Sequence, residues 1–277
     1  VEADGTERWY RLGCLHREDG PAVIRPNGSL EWYRNGKRHR EDGPALVDAS
    51  GTEIWYLNDK AHREGGPAII QANGDLEWRR HGALHNDDGP AVIQSDGVRK
   101  WYRDGELHRE DGPALERADG HREWWVNGRR RKIVTKDGEE IHLHLGHKHR
   151  DDGPAVIKPD GRTEWWFHGK LHRTDGPAIV HPDGTEKWYR DGRLDRADGP
   201  AVKHPNGSQE WRRNGLLHRV GGPAVVKADG SVEHWISGHQ VSEQEARSGE
   251  LSEERLAELV ARTRAGRLRR AASSSRP

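Results

Sequence analysis

Short apolar and polar runs alternate along this chain in a pattern that repeats every 23 residues. An apolar run at residues 21–24 is followed by a turn at 26–28, and then by a polar and aromatic run at 31–34. Asn35-Gly36 separates this run from a charged one, and Asn-Gly between two such segments is the strongest short-range signal for a β-hairpin. Each repeat is therefore predicted to form two or three short antiparallel strands.

The repeats are punctuated by a Gly-Pro-Ala block that follows an Asp or a Gly. That preceding residue is found at Asp19, Asp42, Gly65, Asp88, Asp111, Asp152, Asp175, Asp198 and Gly221. Each step is 23 residues except the one from Asp111 to Asp152, which is 41 residues and corresponds to two repeats with five residues deleted. A fixed period of this length is typical of repeat proteins. Asp-Gly tolerates a positive φ and Pro suits the start of a strand, so each block predicts a turn followed by a strand.

The composition limits how such a chain folds. Hydrophobic residues make up 31% of it, although 12 Trp provide large side chains to bury, and its mean hydropathy is -1.09. One repeat cannot bury enough surface to offset the entropy of ordering its own backbone, so neighbouring repeats must stack. We expect an all-β protein, an elongated antiparallel β-repeat array with a C-terminal helical cap.

Trp and His recur at fixed positions of the repeat. The Trp position is held by Trp9, Trp32, Trp55, Trp78, Trp101, Trp124, Trp165, Trp188 and Trp211. In most repeats a His follows seven residues later, as His39 follows Trp32. A two-residue turn at Asn35-Gly36 places Trp32 opposite His39 and Tyr33 opposite Arg38, and we interpret the His series as packing against Trp. Four of the indoles are candidate binding residues: Trp9, Trp32, Trp55 and Trp101.

Charged residues also recur, with no overall excess of either sign. Lys plus Arg and Asp plus Glu both total 46, so global charge predicts neither a nucleic-acid binder nor a membrane binder. The periodic charges are Arg17, Arg40, Arg63 and Arg109 with Glu18, Glu41, Glu64 and Glu110. They are most simply alternating surface charges, and such a face could recognise a repetitive polymer or another copy of the chain.

One segment places four histidines close together in the sequence. A two-residue turn at Leu145-Gly146 would pair His144 with His147 and His142 with His149, so that all four rings share one face. Four imidazoles in this arrangement could bind zinc, nickel or copper. The alternative is a solvated or packed cluster, because two of the four occupy ordinary repeat positions. No cofactor is predicted from any other motif.

The deletion and the end of the pattern predict the domain organisation. We expect a first block of repeats at 1–131, a second block at 132–238, and a C-terminal helix with a basic tail at 239–277. Residues 242–245, Ser-Glu-Gln-Glu, read as a capping box that starts the helix. The tail carries a run of basic residues that could bind nucleic acid, an acidic protein or a membrane surface: Arg262, Arg264, Arg267, Arg269 and Arg270.

Cysteine content and hydropathy bound the environment. Cys14 is the only cysteine, which excludes an internal disulfide framework and fits a reducing, cytoplasmic compartment. No apolar run reaches the length of a transmembrane helix. Residues 1–5 align with 226–230 inside a repeat, which indicates an incomplete N-terminus. Few Lys beside many Arg, with a single Phe, favour a bacterial or phage source.

The spacing from Trp32 through Gly36 to His39, with a downstream Asn-Gly or Asp-Gly turn in a 23-residue period, resembles MORN repeats and their bacterial antitoxin-like variants. The tandem His-Arg-Glu-Asp-Gly-Pro-Ala sequence is also similar to repeat proteins of phages and bacteria. The resemblance implies an elongated, twisted antiparallel sheet that binds proteins or lipids and has no catalytic residues. This chain differs from MORN repeats in its Trp-to-Gly spacing and its Gly-Pro-Ala block, so we expect a protein partner rather than a lipid.

The sequence contains no nucleophile elbow, phosphate-binding glycine loop or zinc-protease helix. Nearly every candidate side chain recurs, whereas catalysis needs a unique constellation. We therefore expect a non-enzymatic scaffold that binds an unknown protein partner, with an antitoxin-like or phage-related role. Two alternatives remain open, a structural protein that self-assembles into a fibre and a nucleic-acid binder that uses the basic C-terminal helix.

Overall fold

The computed structural model describes residues 2–249, and its regular structure consists of short β-strands and one helix. The all-β prediction with a C-terminal helix is therefore confirmed. Contacts divide the chain between Lys148 and His149 into two compact units. This division falls later than the boundary at residue 131 that the sequence suggested, and each unit is described by itself.

Each unit contains a main antiparallel sheet, to which every repeat contributes two neighbouring strands. In the first unit these strands are Glu7–Arg8, Val23–Ile24, Leu30–Glu31, Leu46–Val47, Glu53–Ile54, Ile69–Ile70, Leu76–Glu77, Val92–Ile93, Arg99–Lys100, Leu115–Glu116, Arg122–Val126, Arg129–Val134 and Glu140–His144. In the second they are Val156–Ile157, Thr163–Glu164, Ile179–Val180, Glu186–Lys187, Val202–Lys203, Gln209–Glu210, Val225–Val226 and Val232–Glu233. Chain neighbours pair within each unit, so the order of strands follows the order of repeats.

A separate two-stranded hairpin follows the main-sheet strands of each regular repeat. In the first unit the hairpin strands are Tyr10–Arg11 with Cys14–Leu15, Tyr33–Arg34 with Lys37–Arg38, Tyr56–Leu57 with Lys60–Ala61, Arg79–Arg80 with Ala83–Leu84, and Tyr102–Arg103 with Glu106–Leu107, while His147–Lys148 pairs with the end of Glu140–His144. In the second they are Trp166–Phe167 with Lys170–Leu171, Tyr189–Arg190 with Arg193–Leu194, Arg212–Arg213 with Leu216–Leu217, and Trp235–Ile236 with His239–Gln240.

The hairpin turn has the geometry that Asn-Gly predicts. Asn35 and Gly36 have φ values of 52° and 77°, both in the left-handed region that a type I′ turn requires. The register pairs Tyr33 with Arg38, as expected. His39 N–H donates to the carbonyl of Trp32 at 3.1 Å, and the equivalent histidines make the same bond at 3.0 to 3.1 Å. This confirms the predicted pairing across the hairpin.

Alanine of the Gly-Pro-Ala block forms the centre of each repeat. Its side chain is completely buried in every copy: Ala22, Ala45, Ala68, Ala91, Ala114, Ala155, Ala178, Ala201 and Ala224. The Ala45 carbonyl accepts the Trp32 N–H at 2.8 Å, so the Trp of one repeat is tied to the start of the next. Few large aliphatic side chains join this core, and Val156 is the largest fully buried one among the described residues.

An arginine lies over the indole of its own repeat. The guanidinium carbon of Arg40 is 4.3 Å from the centroid of the Trp32 ring. Its Nε donates to Asp42 at 2.9 Å, and a terminal nitrogen donates to the Pro44 carbonyl at 3.4 Å. The stacking is a cation–π contact. The two hydrogen bonds give acceptors to N–H donors of the same guanidinium. The guanidinium therefore joins the hairpin to the loop that follows it.

Gly43 is required by this arginine and not by its own backbone conformation. It does not have a positive φ, in contrast to the turn glycines. A Cβ at Gly43 would stand 2.8 Å from the guanidinium carbon of Arg40, closer than carbon atoms approach without a shift. From the sequence, the glycine of this block is expected because Asp-Gly tolerates a positive φ. That explanation is wrong for Gly43, where the close packing of the guanidinium is the reason.

The five-residue deletion produces longer strands and a β-bulge. Arg122–Val126 and Arg129–Val134 pair along their full lengths, with a register shift between Trp124 and Trp125. Arg129–Val134 then pairs with Glu140–His144, so the hairpin is continuous with the main sheet here. The deletion is therefore accommodated by a bulge and by the merging of this hairpin with the main sheet.

The helix Glu243–Ser248 ends the described chain. Ser242 is its N-cap and forms the predicted capping box with Glu245. Ala246 is fully buried, and its carbonyl accepts the Gly221 N–H at 2.8 Å, so the helix packs on the last repeat. The rest of the predicted helix and the basic tail lie outside the described residues.

Replacing Gly43 with Ala tests the close contact with Arg40. We expect Gly43→Ala to destabilise the fold by about 1 to 3 kcal/mol, because the added methyl displaces the guanidinium. Gly89→Ala is the matched control, since its Cβ would meet only Asn86 Nδ2 at 3.6 Å. That change should be neutral or stabilise by up to about 1 kcal/mol through the unfolded chain. Urea unfolding measures both, and equal effects would contradict the explanation.

Candidate binding clefts

An open cleft recurs between the loops of successive repeats. Each loop that leads into a Gly-Pro-Ala block faces the Trp of the following repeat across this cleft, as residues 17–20 face Trp32. In the first unit four clefts have volumes of about 720, 390, 590 and 400 Å³. In the second unit the cleft around Trp165 measures about 550 Å³. The repeat thus multiplies one surface feature along the chain.

Carboxylates form the most exposed part of each cleft. Glu41 and Asp42 are 73% and 84% exposed, and Glu18 and Asp19 of the preceding loop are similar. Arg40 donates to Asp42 and holds the pKa of that carboxyl below its ordinary value. The Asp42 carboxyl is therefore ionised near neutral pH, and the exposed acidic side chains give each loop an acidic rim.

The arginines of the same loops are less available than the sequence suggested. The sequence predicts that they are surface charges, but the side chains of Arg17, Arg40 and Arg109 are only 26 to 27% exposed. Each lies over the indole of its own repeat. All four predicted binding residues, Trp9, Trp32, Trp55 and Trp101, are covered in this way at 4.1, 4.3, 3.9 and 4.2 Å. One face of each ring is thus occupied by the protein's own cation.

The recurring histidines join successive repeats. His16 Nδ1 accepts the N–H of Asn35, the first turn residue of the next hairpin, at 3.0 Å. The same bond is made to Nδ1 of His62, His85, His108, His149, His172 and His218 at 3.1 to 3.2 Å. Where Asp195 replaces the histidine, its carboxylate accepts the N–H of Asn214. An accepting Nδ1 requires the neutral ring, with its proton on Nε2.

A carboxylate that the sequence did not reveal lies beneath the hairpins. Glu31 is 3% exposed, and it accepts bonds from Tyr33 Oη at 2.9 Å, Arg25 at 2.7 Å and Arg38 at 3.0 Å. Burial alone would raise the pKa of Glu31, but these hydrogen bonds outweigh it and the net shift is downward. The signal in the sequence is a Glu directly before the Trp position, as at Glu123 and Glu164. An ionised, saturated carboxylate of this kind suits a structural role.

The predicted histidine cluster consists of His142, His144, His147 and His149. His144 pairs with His147 across the turn, as expected. His142 Nε2 is 3.8 Å from Glu140. In the second unit, His149 accepts the His168 N–H at Nδ1 and lies 3.1 Å from Asp151 through Nε2. Over residues 2–249, no group of three or more His, Cys, Asp or Glu is arranged to hold a metal ion. The four-histidine metal site stays a prediction from the sequence.

The basic residues Arg262, Arg264, Arg267, Arg269 and Arg270 lie outside the described residues, so their role also stays a prediction. No helix in the described part of the chain is long and apolar enough to cross a membrane. No protein-family model matches the chain, and no curated protein matches it either.

The links between repeats predict a dependence of stability on pH. His62 accepts the His81 N–H and stacks on the His81 ring at 4.5 Å. Burial, and then the charge of His81, lower the pKa of His62 below its ordinary value. As the pH falls, His62 therefore binds a proton in the unfolded chain before it does so in the folded chain. The stability that His62 contributes is present above about pH 6.5 and is lost as the pH falls below that value.

We expect the urea midpoint of the wild-type chain to fall between pH 7 and pH 5. His62→Asn keeps an acceptor at the same place but does not titrate, so it should reduce the fall. An equal pH dependence in the two proteins would show that His62 does not contribute.

Proposed function

We propose that the chain is a non-enzymatic repeat scaffold that binds a protein partner along the clefts between its repeats. The observation that carries this proposal is the recurrence of one cleft, with the same kinds of side chain, at each of several repeats. Each copy presents three or four carboxylates beside an aromatic ring, as Glu18 and Glu41 lie on either side of Trp32.

A long polypeptide suits such a row better than a small ligand does. Each cleft is open, and a single exposed ion pair contributes only about 0 to 1 kcal/mol. A partner that engages several clefts converts later contacts into intramolecular ones, so weak contacts combine into useful affinity. We favour binding over catalysis because the same side chains recur in each cleft. The resemblance to antitoxin-like repeats motivates an antitoxin-like or phage-related role for the partner.

Self-assembly into a fibre is the second candidate. Within the described residues, Val232–Glu233 pairs with Val225–Val226 and with no second strand. A strand with one free edge can pair with another chain. Nucleic-acid binding through the basic C-terminal segment is the third candidate, which rests on the sequence alone.

Light scattering over a range of protein and salt concentrations separates the three candidates. We expect one species with the mass of a single chain at every condition, and an ultraviolet absorbance ratio typical of protein. Growth of the particles with concentration would instead favour a fibre. Co-purifying nucleic acid that high salt removes would favour the third candidate.

Charge reversal in one cleft tests the binding surface. Glu110 is 74% exposed and borders the cleft at Trp101. We expect Glu110→Lys to reduce capture of a bacterial protein by the immobilised chain several-fold, without loss of stability. Asp137→Lys is the control, because Asp137 is exposed in a turn away from the described clefts. Mass spectrometry of the captured proteins is the measurement, and identical sets on all three baits would overturn the proposal.

A further inference from the structure

Among the described repeats, the indole of Trp78 lacks the cation that covers the indole in the others. In seven repeats an Arg lies over the Trp that precedes it by eight residues, at 3.9 to 4.3 Å from the ring centroid: Arg17, Arg40, Arg63, Arg109, Arg173, Arg196 and Arg219. The equivalent residue after Trp78 is Asn86. Within the described chain, no guanidinium or ammonium group lies over the Trp78 ring.

Asn86 replaces only part of what the arginine does elsewhere. Its Nδ2 donates to the Pro90 carbonyl at 2.9 Å, which is the bond that the arginine makes in the other repeats. The amide ends there and brings no charge toward the indole. Asp88 is the counterpart of Asp42, whose carboxylate accepts Arg40 Nε. Among residues 2–249 the Asp88 carboxylate has no cationic partner.

The space that the missing side chain would fill is present. A Cβ at Gly89 would meet only Asn86 Nδ2, at 3.6 Å, whereas the equivalent glycines have a guanidinium within 2.8 to 3.3 Å. Trp78, Asn86 and Asp88 line a cleft of about 590 Å³. An aromatic face, a carboxylate and an uncovered glycine therefore border the space that a guanidinium occupies in the other repeats.

The three arginines that border this cleft are engaged elsewhere. Arg63 lies over Trp55 at 3.9 Å. Arg79 is paired with Glu77 at 2.7 Å. Arg80 contacts Asp87 and Asp104 at 3.4 and 3.1 Å. The charges of Arg79 and Arg80 are thus balanced by other carboxylates, and Arg63 is held on Trp55 and on the Pro67 carbonyl. The pair of Trp78 and Asp88 is left for an external cation.

We propose that the gap between Trp78 and Asp88 binds the guanidinium of an arginine side chain from the partner polypeptide. This inference rests on the proposed function as a protein-binding scaffold. A guanidinium is planar, stacks on an indole and pairs with a carboxylate through a fork of donors. The other repeats make the same contacts with the chain's own arginine, so the geometry of a filled site is already present in this molecule.

Titration with N-acetyl-arginine amide tests the site, with the Trp78 indole N–H signal followed by NMR and assigned by Trp78→Phe. We expect saturable binding of one equivalent, and no binding of the neutral citrulline analogue. Asn86→Arg should fill the gap and weaken binding at least roughly tenfold. Asn86→Ala leaves the gap open and should bind like the wild type. Binding that survives Asn86→Arg, or that citrulline reproduces, would overturn the proposal.

A second gap can be created as a gain-of-function test. Arg109→Asn should uncover Trp101 and release Asp111, so that the chain binds a second equivalent of N-acetyl-arginine amide at the Trp101 signal. Circular dichroism of this variant confirms that it is folded. A folded Arg109→Asn protein with no second site would contradict the assignment.

Two further arms identify the source of the guanidinium. A capped Gly-Arg-Gly peptide should bind at least as well as the single residue, because a polypeptide is the proposed ligand. If free guanidinium compounds bind and the peptide does not, the polypeptide assignment is wrong. Glu110 lies in the neighbouring cleft, so loss of capture by Glu110→Lys without arginine binding at Trp78 would reject this inference and leave the scaffold function standing.

Discussion

A guanidinium stacked on an indole is the contact around which seven of the repeats are built. The chain is poor in aliphatic residues, and its buried core is made mainly of alanine, so it has little else with which to cover a large ring. The long arginine side chain covers that ring and keeps its charge at the edge of solvent. The stacked arginine in turn needs a glycine and a proline carbonyl at fixed distances along the loop, and in most repeats it also pairs with an aspartate. This explains why those residues recur together.

The repeats are completed by their neighbours. The Trp32 amide bonds to the first residue of the next core, and the His16 ring bonds to the next hairpin turn. Each repeat therefore contributes donors and acceptors that only an adjacent repeat can satisfy, which is the nearest-neighbour stabilisation expected of a stacked array. Because these links use backbone groups and the recurring histidine, the other side chains of a repeat can differ without loss of the fold. The departure at Asn86 is an example.

Features that depend on short stretches of sequence could be predicted, and contacts between distant side chains could not. The turn at Asn35-Gly36 follows from the backbone preferences of two residues, and the capping box at Ser242 from a four-residue motif. The burial of Glu31 depends on three donors from two strands and a loop, which no local pattern specifies. The covering of Trp32 by Arg40 was missed because a periodic charge is more often exposed. The need for glycine at position 43 could not be predicted either, because it depends on the same stacked guanidinium.

The bond from the histidine ring to the next turn has a consequence for how the chain can change over generations. Its donor and acceptor are 19 residues apart in every repeat that makes it, so the gain or loss of one whole repeat leaves each remaining bond intact. The array can therefore be lengthened or shortened in whole steps of one repeat without breaking this link, whereas an insertion of a few residues between the histidine and the next turn would change the spacing on which the bond depends.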